Sequence, residues 1–176
     1  MADNNEGAVS VVHGEQCPVC SEKKLTLSEV EQDVPFFGRA FIFSMRCSCC
    51  GYRKSDVECG EQRPKISVAF VVSSKDDLSV RIVKSSQATV KFERLGSIES
   101  GEGSDGYVTN VEGLIERFKK VVENTRDTED DEELKKKAKN IVKKLQKVLW
   151  GFEPLKITID DPSGNSAIIS DKTVKK

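Results

Sequence analysis

Apolar residues alternate with polar ones in several short segments between residues 64 and 95. "PKISVAFVV" places Ile66, Val68, Phe70 and Val72 on one face, and "DLSVRIV" and "ATVKFERL" repeat this period. Such alternation is typical of strands with one buried face. Gly, Ser, Asp and Pro separate the segments at intervals of roughly ten residues, which predicts an antiparallel sheet, sandwich or barrel.

The period changes near Thr109. In "TNVEGLIERFKKVVEN", and again between Thr128 and Trp150, apolar positions recur every three or four residues, which predicts two amphipathic helices. Thr109 and Glu112 match a capping box at the start of the first helix. The connection is short, so we expect an antiparallel helical hairpin over about residues 109–150. Strand-like "PLKITID" and "SAIIS" follow, so the hairpin is interpreted as an insertion into a run of strands.

A third pattern lies upstream, between two Cys-x-x-Cys pairs. "KLTLSEV" and "RAFIFSMR" read as two strands, and "VPFFG" between them supplies the bend. The pairs are Cys17 with Cys20 and Cys47 with Cys50, so we expect a two-stranded ribbon with a cysteine turn at each end of the hairpin. Ser21 follows the first pair where Gly51 follows the second, which predicts that the two turns are not equivalent.

The spacing of these cysteines favours a metal site over a redox site. Zn²⁺ takes four thiolates in a tetrahedron, and each Cys-x-x-Cys turn supplies two. A redox dithiol needs only one such pair. We therefore predict that Cys17, Cys20, Cys47 and Cys50 hold Zn²⁺. Four thiolates leave no position for water, so the metal would stabilise the fold and would not activate a nucleophile.

The remaining cysteines and the single histidine carry weaker signals. Cys49 is interpreted as a spectator thiol, with ligand exchange with Cys47 or Cys50 as the alternative, and Cys59 as a surface or core thiol. His13 lies in a polar segment and is expected to be solvated. No nucleophile elbow and no phosphate-binding glycine loop is present in the sequence. We predict that the protein is not an enzyme; the rival possibility is a β-domain cavity in which Glu93, Glu112 or Asp161 acts.

Composition limits the partners. The formal net charge of the 176-residue chain is −1, so no global field attracts nucleic acid or anionic lipid. The sequence has no apolar run of membrane-spanning length, and its first residues do not resemble a secretion signal. We therefore expect a cytoplasmic protein whose cysteines stay reduced. We expect it to bind neither a membrane nor a small-molecule substrate.

Positive charge is concentrated on the second helix, in Lys135, Lys136, Lys137, Lys139, Lys143, Lys144 and Lys147. These lysines either form a solvated face or bind an acidic protein or RNA. Aromatic residues that would stack on bases are nearly absent between them. We select Lys135, Lys136, Lys139 and Lys143 as candidate partner-binding residues. Trp150 and Phe152 lie beyond the helix end, and we expect them in the core, with an exposed anchor as the alternative.

Several motifs in one order resemble the ZPR-type zinc-finger family. They are "CPVC", "FF", "F-x-F-x-x-x-C-x-x-CGYR", "SDV", "DL-x-x-x-x-VKS", "ATV", "T-x-VEGL" and "DPSGNS", and they span about Cys17 to Ile169. The resemblance implies a four-cysteine finger followed by a domain like a double-stranded β-helix, in a single module as in archaeal members. It also implies zinc on the same four cysteines and binding of translation elongation factor 1-alpha, or assistance with its folding.

Together these observations predict a mostly β protein with an inserted α-hairpin (α+β): a four-cysteine zinc ribbon followed by an antiparallel, double-stranded β-helix-like domain. The expected organisation is a flexible arm at 1–14, the ribbon at 15–58, the β-domain at 59–170 and a solvated tail at 171–176. The alternative for the arm is a short edge strand formed by Val9, Val11 and Val12. The expected function is zinc-stabilised binding of a protein, with elongation factor 1-alpha as the expected partner. The alternative is a nucleic-acid-binding zinc ribbon that uses the lysine-rich helix.

Overall fold

A computed structural model describes residues 9–34, 37–59, 63–101 and 103–175 of the chain. The first sheet contains four antiparallel strands in the order β1-β2-β3-β4. Their bounds are β1 (Val9–Glu15), β2 (Leu25–Val34), β3 (Gly38–Cys47) and β4 (Arg53–Cys59). The predicted ribbon is therefore the centre of a larger sheet. Residues 9–14 form most of an exposed edge strand, so the alternative of a strand at Val9, Val11 and Val12 is confirmed and the flexible arm is wrong there; residues 1–8 lie outside the described part.

Within the described residues, eight further strands build two more sheets. They are β5 (Ile66–Val72), β6 (Arg81–Lys84), β7 (Thr89–Phe92), β8 (Gly96–Ile98), β9 (Tyr107–Asn110), β10 (Leu155–Asp161), β11 (Ala167–Ile169) and β12 (Val174–Lys175). The second sheet has the order β12-β5-β10-β7-β8 and the third β11-β6-β9. All strand pairings in the part of the chain that the structure describes are antiparallel, which confirms the predicted sheet type.

Some elements of this domain differ from those that the sequence pattern predicts. Leu78 lies in a short 3₁₀ helix, Asp76–Ser79, and the strand predicted there begins only at Arg81. The glycine-rich stretch after Leu95 contains β8 and is followed by β9, neither of which was predicted, because each has too few residues to display a period. The predicted tail is exposed at Asp171, Lys172, Val174 and Lys175. The sequence did not predict that Val174 and Lys175 also pair with β5.

The helical hairpin consists of α1 (Val111–Thr128) and α2 (Glu132–Leu149). Its existence and amphipathic faces are confirmed, but its caps differ from the prediction. The side chain of Asn110, and not that of Thr109, accepts the N–H of Gly113 at the start of α1. Asp131 caps α2 by accepting the N–H groups of Glu133 and Leu134. The apolar faces of both helices join the main core together with the second sheet, and Phe118 of α1 stacks on Phe92 of β7 with ring centroids 4.1 Å apart.

A smaller core joins the first sheet to the rest of the molecule. Val34, Phe37, Ala40 and Val57 pack with Val83 of β6. This core lies on the face of the first sheet opposite to Phe41 and Phe43, because successive strand residues point to opposite faces. The cysteine-bearing sheet is therefore fixed to the β-domain through buried apolar contacts.

Polar contacts strengthen the same junction. The Asp56 carboxylate on β4 accepts both the backbone N–H and the hydroxyl of Ser86. The Cys59 N–H donates to the side chain of Asn165 at 3.3 Å. Three motifs that carry the family resemblance, "SDV", "VKS" and "DPSGNS", thus meet where the two parts of the molecule join. Neither helix of the described chain has the length and apolar character needed to span a lipid bilayer.

Candidate metal centre

The strand register brings the two cysteine turns together. Leu25, the first residue of β2, pairs directly with Cys47, the last residue of β3. The turn that precedes β2 and the turn that follows β3 therefore occupy the same end of the ribbon. Leu25 is buried there together with Cys17 and Cys47, and Leu27, Met45 and Tyr52 pack around them.

The two turns have the same backbone structure. Ser21 N–H donates to the Cys17 carbonyl at 2.9 Å, and Gly51 N–H donates to the Cys47 carbonyl at 3.2 Å. Ser21 and Gly51 both have positive φ, 61° and 75°. The expectation that the turns differ is therefore wrong: the serine adopts the left-handed conformation that glycine adopts more easily.

The four sulfurs have the separations that zinc requires. The Sγ atoms of Cys17, Cys20, Cys47 and Cys50 all lie within 4.8 Å of one another. Two of the distances, Cys17 to Cys50 and Cys20 to Cys47, are 3.7 Å. A tetrahedron with Zn–S bonds of about 2.3 Å has edges of about 3.8 Å, whereas a disulfide bond is about 2.05 Å long. The side chains are positioned to bind Zn²⁺.

The local environment makes these thiols unequal. Backbone N–H groups of Cys50 and Cys49 lower the pKa of Cys47 to about 7. At Cys20 the backbone at Glu22 acts in the same direction, but desolvation and the neighbouring cysteines outweigh it and raise the pKa to about 12. Binding of a metal to four thiolates must therefore release protons, so the affinity for zinc falls as the pH falls.

The other sulfur and imidazole groups lie outside this cluster. Cys49 is exposed beside it, and Cys59 lies on β4 next to the junction core. His13 is exposed on β1, where its Nδ1 atom is 3.1 Å from the hydroxyl of Thr26. In the described part of the chain, the four cysteines are the one group of three or more His, Cys, Asp or Glu residues arranged to hold a metal ion.

The acidic residues considered as catalytic candidates lie in different environments. Asp161 is buried, and its oxygens accept hydrogen bonds from the hydroxyls of Ser85, Ser163 and Ser166. Glu93 and Glu112 are exposed, the first in an ion pair with Lys156. Asp161 is therefore satisfied as a structural hydrogen-bond acceptor, and its burial separates its environment from that of the other two.

The four candidate partner-binding lysines all lie on α2. Lys136, Lys139 and Lys143 are exposed, and Lys135 is half-buried with its ammonium 3.4 Å from Glu132. Trp150 and Phe152 were expected in the core, but their exposed fractions are 52% and 75%. The helical periodicity could have predicted that Trp150 is exposed. Trp150 lies three residues after Lys147 and seven after Lys143, on the polar side of the helix.

Two family models match the chain one after the other. The ZPR1 zinc-finger domain matches residues 11–65, and the ZPR1 jelly-roll domain matches residues 76–176. An uncharacterized ZPR1-like protein of Pyrococcus horikoshii is 37% identical over 162 residues, which cover 89% of this chain and 72% of that protein. A similar protein of Methanocaldococcus jannaschii is 34% identical over 88% of the chain and 79% of its own length.

A more distant relative is named as a chaperone. The zinc finger chaperone zpr1 of Schizosaccharomyces pombe is 27% identical over 139 residues, which cover 77% of this chain but only 30% of that longer protein. Two domain matches in sequence order, a four-sulfur site in the first and an antiparallel β-domain in the second lead to one conclusion: the chain belongs to the ZPR1 zinc-finger family.

Proposed function

We propose that this protein is a non-enzymatic, zinc-stabilised protein-binding module of the cytoplasm, and that it binds translation elongation factor 1-alpha or assists its folding. The observation that carries the proposal is the closed set of four sulfurs, which has the ligands for a structural metal and no position for a substrate. The naming of the Schizosaccharomyces pombe relative as a chaperone supports a role in protein binding. The elongation factor as partner rests on the resemblance to the family.

Lys135, Lys136, Lys139 and Lys143 are the proposed partner-binding residues. Three of them are exposed, and in the described part of the chain no carboxylate lies within ion-pair distance of those three ammonium groups. An unpaired surface charge keeps its attraction for a partner and loses little hydration before contact.

Purified zinc-loaded protein and purified elongation factor 1-alpha from the same cells provide the test. We expect binding by biolayer interferometry, and a loss of at least fivefold in affinity for the Lys136→Glu, Lys139→Glu, Lys143→Glu triple variant. Absence of binding by the wild-type protein, under conditions where its zinc content is stoichiometric, would contradict the proposed partner.

The second candidate function is nucleic-acid binding through the same lysines. It is favoured by their exposure along one helix. Affinity for RNA or DNA would then fall steeply as salt is raised, because counterions are released on binding. A filter-binding titration at low salt that detects no complex eliminates this alternative.

A further inference from the structure

The outward face of α2 carries an ordered row of positive charge that ends in two aromatic rings. Lys136, Lys139, Lys143, Lys147 and Trp150 are spaced by three, four, four and three residues, so at about 100° per residue they form one stripe. All five are exposed. The buried residues of α2, Ala138, Leu145 and Val148, lie on the opposite side. This stripe is called the Lys–Trp stripe below.

The aromatic end of the stripe is held rigidly. The N–H groups of Trp150, Gly151 and Phe152 donate to the carbonyls of Gln146, Val148 and Lys147 at 3.1, 2.8 and 2.9 Å. Gly151 has φ of +79°, and a Cβ there would come within 2.8 Å of Cγ of Lys75, so the turn requires glycine. The rings of Trp150 and Phe152 meet edge to face with centroids 6.1 Å apart.

Exposed aromatic rings on a fixed turn are unusual for a surface that only contacts water. Phe152 is 75% exposed, and hydrogen bonds order the turn that carries it. Aromatic residues are enriched among the residues that dominate binding energy at protein interfaces. A rigid ring also loses little conformational entropy when a partner binds.

The charges around the stripe limit what it can bind. From Lys136 to Lys147 the helix rises about 16 Å, which matches about five residues of extended peptide. Acidic residues bound it at both ends. Glu132 and Glu133 lie in the first turn of α2, and Glu153 forms a 2.8 Å ion pair with Lys147. A long polyanion such as RNA would run past the lysines onto these carboxylates, whereas a short acidic segment would not.

We propose that the Lys–Trp stripe and Phe152 form a docking site for a short acidic segment of a partner protein, with an apolar side chain of that segment packed against the two rings. This rests on the proposed function in that it assumes a protein partner, and it adds the chemistry of the segment recognised. The carboxylates of the segment face Lys136, Lys139 and Lys143, and its apolar side chain covers Trp150 and Phe152.

Trp150 is the only tryptophan in the sequence, so its fluorescence reports directly on this site. The probe is a synthetic peptide of about ten residues with four glutamates and a leucine pair at one end. We expect the peptide to shift Trp150 emission to shorter wavelength and to protect it from acrylamide quenching. A second peptide with glutamine in place of glutamate should bind at least tenfold more weakly.

Variants that keep the tryptophan test each half of the site. Phe152→Ser and Lys139→Glu should each weaken peptide binding at least fivefold. Matched controls are Val121→Ser, an apolar residue on α1 that is 52% exposed, and Lys137→Glu, an exposed lysine off the stripe. These controls should change affinity less than twofold. Equal loss in the control variants, or no emission shift with the glutamate peptide, would overturn the proposal.

Other occupants give distinct results, and each would also overturn it. Preferential binding of a twelve-nucleotide oligothymidine would assign the stripe to nucleic acid, and an emission shift that depends on protein concentration alone would assign it to a second copy. The peptide assay does not use the elongation factor. If the peptide binds and the elongation factor does not, the named partner is wrong and the docking site stands. If the peptide does not bind, and the elongation factor binds the Phe152→Ser variant as tightly as it binds wild type, the docking site is wrong and the named partner stands.

Discussion

Ser21 has a backbone conformation that is unfavourable for a residue with a side chain. It occupies the left-handed position that Gly51 occupies in the equivalent turn, with φ of 61°. A side chain in that conformation costs roughly 1–2 kcal/mol, while glycine adds about 0.4–1 kcal/mol of entropy to the unfolded chain. The first quantity is larger. The hydrogen bond from the Ser21 N–H to the Cys17 carbonyl holds the backbone in this conformation, and Zn²⁺ on Cys17 and Cys20 would hold it further.

This comparison predicts opposite effects for two exchanges. Ser21→Gly should stabilise the zinc-loaded protein by about 0.5–1 kcal/mol, and Gly51→Ser should destabilise it by a similar amount. The added Cβ at residue 51 meets no atom within 4 Å, so the loss would be conformational and not steric. Free energies of unfolding from denaturant titrations in excess zinc would measure both. A stabilising Gly51→Ser would contradict the assignment of strain to this position.

Asp77 shows how one buried carboxylate links separate segments. It is 4% exposed, accepts the N–H groups of Ser73 and Ser74, and lies 2.8 Å from the Lys172 ammonium near the chain end. Desolvation alone would raise the pKa of Asp77, but the contacts with Lys172 and Ser73 outweigh it and hold the pKa well below its ordinary value. The ionised form is therefore the one that stabilises the fold.

The sign of the pH effect follows from that shift. Because the folded pKa is depressed, the stabilisation is complete above the unfolded value of about 3.9 and is lost as the pH falls from there toward the folded pKa. Asp77→Asn should lower the free energy of unfolding by about 2 kcal/mol at pH 7, and the difference from wild type should shrink below about pH 4. Asp76→Asn, at the exposed neighbouring position, is the control. A difference that stays constant from pH 7 to pH 2 would exclude this role.

At the scale of elements, the long periodic segments were predictable, whereas some of the short strands were not. The hairpin of α1 and α2 has eighteen residues in each helix, so its apolar stripe is repeated about five times. In contrast β8 has three residues and β9 has four, and neither strand was predicted. Strands of that length are selected by their partners across the sheet, and the sequence of the strand alone contains no record of those partners.

The start of α1 gives a test of how local signals compete. Thr109 and Glu112 fit a capping box, yet Asn110 caps the helix and Thr109 remains paired in β9. Pairing of Thr109 with Ile82 fixes the strand one residue further than the box requires. Asn110→Ala should therefore destabilise the protein by about 1 kcal/mol, measured by thermal or denaturant unfolding. Glu112→Ala should change the free energy of unfolding by less than half of that amount. A larger loss for Glu112→Ala than for Asn110→Ala would show that the capping box, and not Asn110, stabilises the start of α1.

At the scale of the whole molecule, the cysteine pattern was sufficient to predict the metal site. It was not sufficient to predict how the cysteine-bearing sheet is joined to the β-domain. Cys-x-x-Cys pairs across a hairpin specify four ligands by local geometry. The junction between the sheets depends on contacts such as Asp56 with Ser86, thirty residues apart in sequence. Periodicity also placed Trp150 and Phe152 only near the end of a helix. They lie on the turn after α2, where Gly151 has φ of +79° and the Phe152 N–H donates to the Lys147 carbonyl.

The junction changes what zinc removal should do. Taken alone, the sequence predicts that loss of the metal unfolds the chain from Cys17 to Cys50. Structural zinc is worth roughly 10–16 kcal/mol in isolated finger peptides, but here one end of the ribbon is also buried against the β-domain. Val34, Ala40 and Val57 are fully packed with Val83 in a core that contains none of the four ligands.

We therefore expect partial unfolding when zinc is removed by chelation or by Cys47→Ser. Amide hydrogen exchange should become fast at the cysteine end, from Cys17 to Leu27 and from Met45 to Tyr52, where the small core of Cys17, Leu25 and Cys47 depends on the metal. Amides at Ala40, Ile42 and Val57 should stay protected, because the junction core holds that end of the sheet. Mass spectrometry of peptic fragments resolves the two ends, and Ser21→Gly serves as a control that keeps all four ligands. Loss of protection along the whole of β2 and β3 would show that the metal, and not the junction, supports the complete sheet.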